Sequence, residues 1–142
     1  MPTNQKPEIQ IILPVHNEEN CIESVIMEIY NELSARLSVE FIICEDGSQD
    51  QTKEILYRLS RQVPMRLIIT NTRKGYSQAI IDGFRAATSD YILVLDADGQ
   101  CSPKDFWKFY ERKKDFAVSI GWRKPRIDPF FRRVLSCGFK II

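Results

Sequence analysis

The 142-residue sequence predicts one α/β domain with a mainly parallel sheet and helices on both faces. Five short, β-rich apolar runs alternate with segments of helical periodicity, which is the pattern of consecutive βαβ units. Hydrophobic residues make up 44% of the chain and charged residues 27%, as in a globular domain. Each apolar run is followed by polar, turn-forming residues, so the sheet has a polar edge.

The first strand and helix open the domain. Ile9–Val15 is predicted as a strand because its residues form a nearly continuous apolar run. Asn17 is predicted to cap the next helix, whose apolar positions recur at helical spacing over residues 22–37. Glu18 and Glu19 then fall in its first turn, where the helix dipole favours negative charge.

The same alternation continues to the end of the domain. Further strands are predicted over residues 39–44, 65–70, 91–95 and 116–120. Helices are predicted through residue 59 with Ser48 or Asp50 as the cap, over residues 77–87, and over residues 104–112 after Ser102 and Pro103.

The distribution of charge predicts a domain boundary, and the cysteine usage predicts the cellular compartment. The net charge is +1, yet residues 123–142 carry six basic side chains and one acid, interleaved with aromatics. We therefore divide the chain into an α/β domain, residues 1–122, and a basic amphipathic segment, residues 123–142. Widely spaced cysteines without a CxxC pair, no signal peptide and no long apolar run predict a cytoplasmic protein with reduced thiols.

Polar clusters follow all five predicted strands, and ligands of parallel sheets bind at that edge. The clusters are PVHNEE, EDGSQD, NTRKG, DADGQ and GWR. In DADGQ, extended-chain alternation turns Asp96, Asp98 and Gln100 the same way, and three hard oxygen donors suit Mg²⁺ or Mn²⁺. The alternative for this motif is a solvated acidic turn.

The other clusters also have two interpretations. Asp46 is either a turn former or an acceptor for a base or ribose hydroxyls, and Lys74 either meets an anion or is a solvated loop lysine. His16 has no partner histidine or cysteine nearby, which favours packing over catalysis. The sequence contains no GxxxxGK[ST], GxGxxG or GxSxG motif.

Taken in order, these motifs resemble the inverting family 2 glycosyltransferases of the GT-A fold. The resemblance runs from PVHNEE through NTRKGYSQAIIDGFRAATSDYILVLDADGQCSP to SIGWR, and its nearest branch is the polyprenyl-phosphate (dolichol-phosphate) hexose synthases. It implies a Rossmann-like GT-A nucleotide-binding half. It also implies metal-dependent transfer of a hexose from a UDP- or GDP-sugar to dolichol or undecaprenyl phosphate.

The resemblance assigns residues as well. It places the nucleoside on Pro14, Val15, Asn17, Glu18 and Asp46, phosphates of donor or acceptor on Lys74 and Arg123, and Mg²⁺ or Mn²⁺ on Asp96, Asp98 and Gln100. It implies that residues 123–142 lie against the inner or endoplasmic-reticulum membrane face, beside the lipid acceptor. The alternative is an ordinary amphipathic helix packed on the domain. Nucleic acid is not an expected partner, whereas an exposed sheet edge allows a homo-oligomer.

Two departures from the family pattern matter. His16 stands where the family more often has tyrosine. The chain also stops before the family's acceptor-side segment, which carries the general base, so no catalytic residue is assigned and a truncated chain is expected. The chain is therefore either a transferase or a catalytically inactive, nucleotide-sugar-binding remnant or partner subunit. A nucleotidyltransferase is disfavoured because the glycine-rich, arginine-containing loop is missing.

Overall fold

The computed structural model describes residues 6–121. Its strands are β1 (Ile9–Val15), β2 (Val39–Asp46), β3 (Met65–Thr70) and β4 (Tyr91–Val94). Its helices are α1 (Ile22–Ser34), α2 (Thr52–Leu59), α3 (Tyr76–Ala86) and α4 (Phe106–Tyr110), the last preceded by a 3₁₀ turn, Pro103–Asp105.

The four strands form one parallel sheet in the order β3-β2-β1-β4. Every residue of β1 is buried, because this strand has a neighbour on each side and apolar side chains along its length. In register, Ile9 pairs with Val39 on one side and with Tyr91 on the other. The predicted α/β class with a parallel sheet is confirmed.

Helix packing explains a glycine in the middle of α3. This helix packs on β1 and β2, whereas α1 packs against α2 and β2. A Cβ atom built on Gly83 would lie 2.6 Å from Ile12 Cγ2 and 3.1 Å from Cys44 Sγ. Only a residue without a side chain lets α3 approach the sheet this closely. The contact brings the N-terminus of α3 to the polar edge of the sheet.

The C-terminal part of the described chain departs from the prediction. Residues 116–120 form no strand, and Val118 and Ile120 are 74% and 84% exposed. Apolar β-branched residues favour a strand only when a neighbouring strand accepts their hydrogen bonds, and the described residues 6–121 provide none here. The predicted fifth strand was therefore wrong.

A boundary between two compact units falls between Phe106 and Trp107. The predicted boundary at residue 122 stays a prediction, since residues 123–142 lie outside the described part of the chain. Within residues 6–121, no helix has the length and apolar character needed to cross a membrane.

Candidate functional site

A cleft of about 280 Å³ lies at the carboxyl ends of β1, β2 and β4. Six of the residues predicted from the sequence line it: Pro14, Val15, Glu18, Asp46, Asp96 and Asp98. Three predicted residues, Asn17, Lys74 and Gln100, are not among its lining residues. Arg123 lies outside the described residues. His16, Arg73, Tyr76, Ala79 and Ala97 also line the cleft, although the sequence did not single them out as ligand contacts.

Asn17 connects two loops instead of capping a helix. Its backbone N–H donates to Ser48 Oγ at 2.9 Å, and its Oδ1 accepts from the N–H of Gln49 at 2.8 Å. Its φ of 54° is left-handed, a conformation that asparagine tolerates better than most residues. Helix α1 begins only at Ile22, so the predicted cap was wrong. The tertiary partners of this side chain replace the helix N–H groups that a cap would bind.

Further hydrogen bonds join the loop after β1 to the start of α2. The N–H of Glu18 donates to Thr52 Oγ1 at 2.9 Å. The N–H of Glu19 donates to Asp50 Oδ2 at 3.2 Å, and Glu19 Oε2 accepts from the N–H of Gln51 at 2.9 Å. Asp50 Oδ1 also accepts from the N–H of Thr52 at 3.1 Å. The two loops therefore form one connected wall of the cleft. The N-cap position of α2 is Gln51, with no side-chain cap hydrogen bond, so the predicted cap at Ser48 or Asp50 was wrong.

Asp46 ties the loop after β3 to the end of β2. Its Oδ1 accepts from the N–H of Lys74 at 2.6 Å, and its Oδ2 accepts from the N–H of Gly75 at 2.8 Å. The residue is 5% exposed, yet it lines the cleft. A carboxylate can accept about four hydrogen bonds, so Asp46 retains acceptor capacity for a ligand. We call this pair of hydrogen bonds the Asp46 clamp.

Gly47 permits the same two loops to touch. Its φ is +71°, and a Cβ atom there would lie 2.8 Å from the backbone nitrogen of Arg73. A side chain would therefore meet backbone that has no freedom to move aside. In the Asp-Gly pair of EDGS, Asp46 thus anchors the loop after β3 and Gly47 allows that loop to approach closely, in addition to forming the turn.

Arg73 lines the cleft, and the neighbouring Lys74 does not. Lys74 Nζ lies 3.3 Å from Asp82 Oδ2 on α3. Gln78 Nε2 donates to the other oxygen of Asp82 at 2.9 Å, and this bond, followed by Lys74, lowers the pKa of Asp82. The basic pair Arg73 and Lys74 in NTRKG was the sequence signal for a cation at this site, but the sequence did not show which of the two side chains lines the cleft.

Two carboxylates of DADGQ lie in the cleft. Asp96 Oδ1 accepts from the phenol of Tyr76 at 2.7 Å, and Asp98 Oδ1 accepts from the N–H of Gln100 at 3.0 Å. Partial burial of Tyr76, then its bond to Asp96 and the charge of Asp98, raise the pKa of its phenol to about 12. The Gln100 side chain is exposed. The acidic turn therefore concentrates negative charge beside the N-terminus of α3.

Cys21 connects the first loop to this acidic turn. Its Sγ lies 3.1 Å from Glu18 Oε2 and 3.4 Å from the carbonyl oxygen of Ala97. Burial, then the hydrogen bond and charge of Glu18 and the charge of Asp98, raise the pKa of the thiol to about 11. The thiol therefore stays protonated at neutral pH, and its single S–H has one acceptor in its own loop, Glu18 Oε2, and one in the acidic turn, the carbonyl oxygen of Ala97.

The donor set of the cleft fits a hard divalent ion. Among residues 6–121 there is no group of three or more His, Cys, Asp or Glu side chains placed to hold a metal. The carboxylates of Asp96 and Asp98 nevertheless line the same cleft. Mg²⁺ typically binds through one or two carboxylates together with substrate phosphates, and Mn²⁺ shares its preference for oxygen ligands. This pair therefore suits an ion that arrives with a phosphate-bearing ligand.

The parallel sheet with a carboxylate-lined cleft at its carboxyl edge is an α/β domain of the GT-A class. The family model of Glycosyl transferase family 2 matches residues 10–138, and the chain belongs to this family. The family predicted from the ordered motifs is confirmed.

Known relatives are polyprenyl-phosphate sugar transferases, the branch that the motifs predicted. The chain is 34% identical over 136 residues to a dolichol-phosphate mannosyltransferase of Pyrococcus furiosus, covering 92% of this chain and 38% of the relative. It is 30% identical over 143 residues to an undecaprenyl-phosphate 4-deoxy-4-formamido-L-arabinose transferase of Photorhabdus laumondii, covering 96% and 43%. The chain thus spans less than half the length of either relative.

A solved structure supports the same fold. The chain is similar to the mannosyltransferase PcManGT from Pyrobaculum calidifontis in complex with GDP-Man and Mn²⁺, with a TM-score of 0.59 and 26% identity. The similarity covers 67% of this chain and 28% of PcManGT. A divalent metal is consistent with this neighbour, which contains Mn²⁺.

Proposed function

We propose that this chain forms the donor-binding part of a glycosyltransferase. The transferase moves a hexose from a UDP- or GDP-sugar to a polyprenyl phosphate, dolichol or undecaprenyl, with inversion at the sugar. One observation carries the proposal: Asp46 at the end of β2 and Asp96 and Asp98 after β4, far apart in sequence, line a single cleft at the carboxyl edge of the sheet.

The nucleoside half of the donor would contact the walls formed by the first two loops. Pro14, Val15 and Glu18 supply the first wall, and Asp46 supplies acceptor oxygens for base or ribose hydroxyls. Asn17 serves the nucleoside indirectly, because its side chain holds the loop to Gln49. The hydrogen bonds between the loops support a site that is largely formed before the ligand arrives.

The diphosphate would lie between a cation and the acidic turn. Arg73 is the cation of the described chain that lines the cleft, and we assign it the role expected of Lys74. Asp96 and Asp98 would hold Mg²⁺ or Mn²⁺, while Gln100 as a third ligand stays a prediction. When bound, the ion supplies charge neutralisation for the departing nucleoside diphosphate.

The acceptor side is proposed from the relatives and the composition of the tail. Both relatives named above carry a polyprenyl phosphate in their names. Residues 123–142, with their six basic side chains, suit the headgroup region of a membrane on its cytoplasmic face. A peripheral membrane position and a homo-oligomer are part of this proposal.

Calorimetry with UDP and GDP, with and without Mn²⁺, tests the donor site. We expect Mn²⁺-dependent binding of one nucleotide, and at least about tenfold weaker binding for Asp98→Ala, because one of two metal-binding carboxylates is lost. Asp90→Ala is the matched control, since Asp90 pairs with Lys6 on the surface and its side chain is 83% exposed.

A transfer assay with a labelled nucleotide sugar and a polyprenyl phosphate tests turnover. Product formation supports the transferase, whereas metal-dependent binding without product supports the binding-only alternative. If neither nucleotide binds, both interpretations fail.

A further inference from the structure

We propose that Tyr76 is a positioning residue that holds the Asp96 carboxylate ready to bind a metal through one oxygen. By doing so, it selects Mg²⁺ or Mn²⁺ over Ca²⁺. The inference rests on the proposed function, because it takes Asp96 and Asp98 as the metal-binding pair.

The backbone of Tyr76 is held in place by the two residues that precede it. Tyr76 is the first residue of α3 and follows Gly75, whose φ is +96°. The N–H groups of Gly75 and Lys74 are both bound by the Asp46 clamp. Because the helix start is fixed to the end of β2, the phenol is presented to the cleft from a defined point.

The phenol engages one oxygen of Asp96. It donates to Oδ1 at 2.7 Å, a charge-assisted hydrogen bond between groups twenty residues apart. In Asp98, Oδ1 is likewise engaged, by the N–H of Gln100 at 3.0 Å. Among the residues that the structure describes, no donor engages Oδ2 of either carboxylate. The pair therefore offers two single oxygens to an incoming ion.

Tyr76 is suited to this role more than to core packing. The residue is 56% exposed although it lines the cleft, so little of its ring contributes to the interior. The phenol lies at the rim of the carboxylate pair, and its one strong interaction is the hydrogen bond to Asp96.

The single-oxygen arrangement distinguishes between ions. Ca²⁺ takes about six to eight oxygen ligands and often binds both oxygens of a carboxylate, whereas Mg²⁺ requires a compact octahedron. Asp96 can chelate through both oxygens only if it gives up the hydrogen bond from Tyr76. The hydroxyl thus orients the free oxygen of Asp96 for an ion that binds through one oxygen, such as Mn²⁺ or Mg²⁺. It gives no such advantage to Ca²⁺, which has to break this hydrogen bond to bind both oxygens.

The test compares Tyr76→Phe with Tyr57→Phe in the full chain. Tyr57 lies on α2, is 54% exposed and is not among the residues lining the cleft, which makes it a matched control. Mn²⁺ binding in the presence of the preferred nucleotide is followed by electron paramagnetic resonance, and Ca²⁺ is then titrated as a competitor. Thermal melting confirms that each variant is folded.

We expect Tyr76→Phe to bind Mn²⁺ about tenfold more weakly, at the low end of the effect of removing such hydrogen-bonding partners. The preference for Mn²⁺ over Ca²⁺ should fall by a similar factor, and Tyr57→Phe should match the wild type. Tyr76→Ala is a second variant that also lacks the hydroxyl and should show the same loss of preference.

Three results separate the possibilities. Unchanged Mn²⁺ affinity and preference in Tyr76→Phe would overturn the role of Tyr76. An equal loss for Mn²⁺ and Ca²⁺ would overturn it too, because the site would be weakened without selection. Absence of Mn²⁺-dependent nucleotide binding in the wild type, or its full retention in Asp98→Ala, would instead refute the proposed function.

Discussion

Replacing Asp46 by alanine tests how the two halves of the cleft are held together. The Asp46 clamp joins the end of β2 to the start of α3 through two hydrogen bonds, at 2.6 and 2.8 Å. In Asp46→Ala both backbone N–H groups lose a charged acceptor. We expect lower stability of the whole α/β domain and greater local opening of residues 72–75.

The magnitude follows from the two bonds and their exposure. A hydrogen bond to a charged group contributes about 1.5–3 kcal/mol. Lys74 is exposed and Gly75 half-buried, so water replaces the lost acceptor and the lower figure applies to each bond. The free energy of unfolding should therefore fall by about 3 kcal/mol. With an m-value of about 2 kcal/mol/M, the urea midpoint falls by roughly 1.5 M.

Urea unfolding followed by far-UV circular dichroism measures the global effect, and hydrogen exchange measures the local one. The amides of Lys74 and Gly75 should exchange about tenfold faster or more in Asp46→Ala, since about 1.4 kcal/mol corresponds to a factor of ten. Asp90→Ala, at an exposed ion pair, is the control and should leave both readouts unchanged. An unaltered urea midpoint together with unaltered exchange at Lys74 and Gly75 would refute the clamp.

Two further predictions concern a glycine and a thiol. Gly47→Ala should reduce the free energy of unfolding by about 1–2 kcal/mol or more in urea titrations, because φ is +71° and the new Cβ meets the nitrogen of Arg73 at 2.8 Å; wild-type stability would contradict this close approach. Burial, then the charge of Asp82, raises the pKa of Cys44 from 9.0 to about 11, so the folded state holds this proton more tightly than the unfolded chain. The stabilisation from the protonated thiol is present below about pH 9 and is lost as the pH rises through 11. The urea midpoint of the wild type should therefore fall between about pH 8.5 and 10.5, and the midpoint of Cys44→Ala should fall less. An equal fall in both proteins would contradict this role of the Cys44 thiol.

The sheet was predictable because its signal is local. β1 and β3 have the predicted bounds, since each is an apolar run ended by polar, turn-forming residues. β2 extends two residues further than predicted, through the polar pair Glu45 and Asp46. These two residues are buried because they pair with β3, and composition alone does not reveal that pairing.

The prediction failed where a residue had competing partners. Asparagine is a common helix-capping residue, but Asn17 forms hydrogen bonds with Ser48 and Gln49 instead. The apolar segment 116–120 has the composition of a strand but no strand beside it among the described residues. In both cases the local propensity described a structure that the residues can adopt, but the tertiary partners available to them determined the structure that they adopted.

By itself, the sequence determined the order of the first four strands and of the helices between them, the edge of the sheet that carries the polar clusters, and the acidic turn with Asp96 and Asp98. Only the tertiary structure decided that Arg73 faces the cleft, that Asp46 holds the neighbouring loop, and that Tyr76 binds Asp96. The physical reason is the range of the interactions. Apolar periodicity acts over a few residues, whereas the hydrogen bonds that shape the cleft join residues 20 to 76 positions apart and exist only once the sheet has formed.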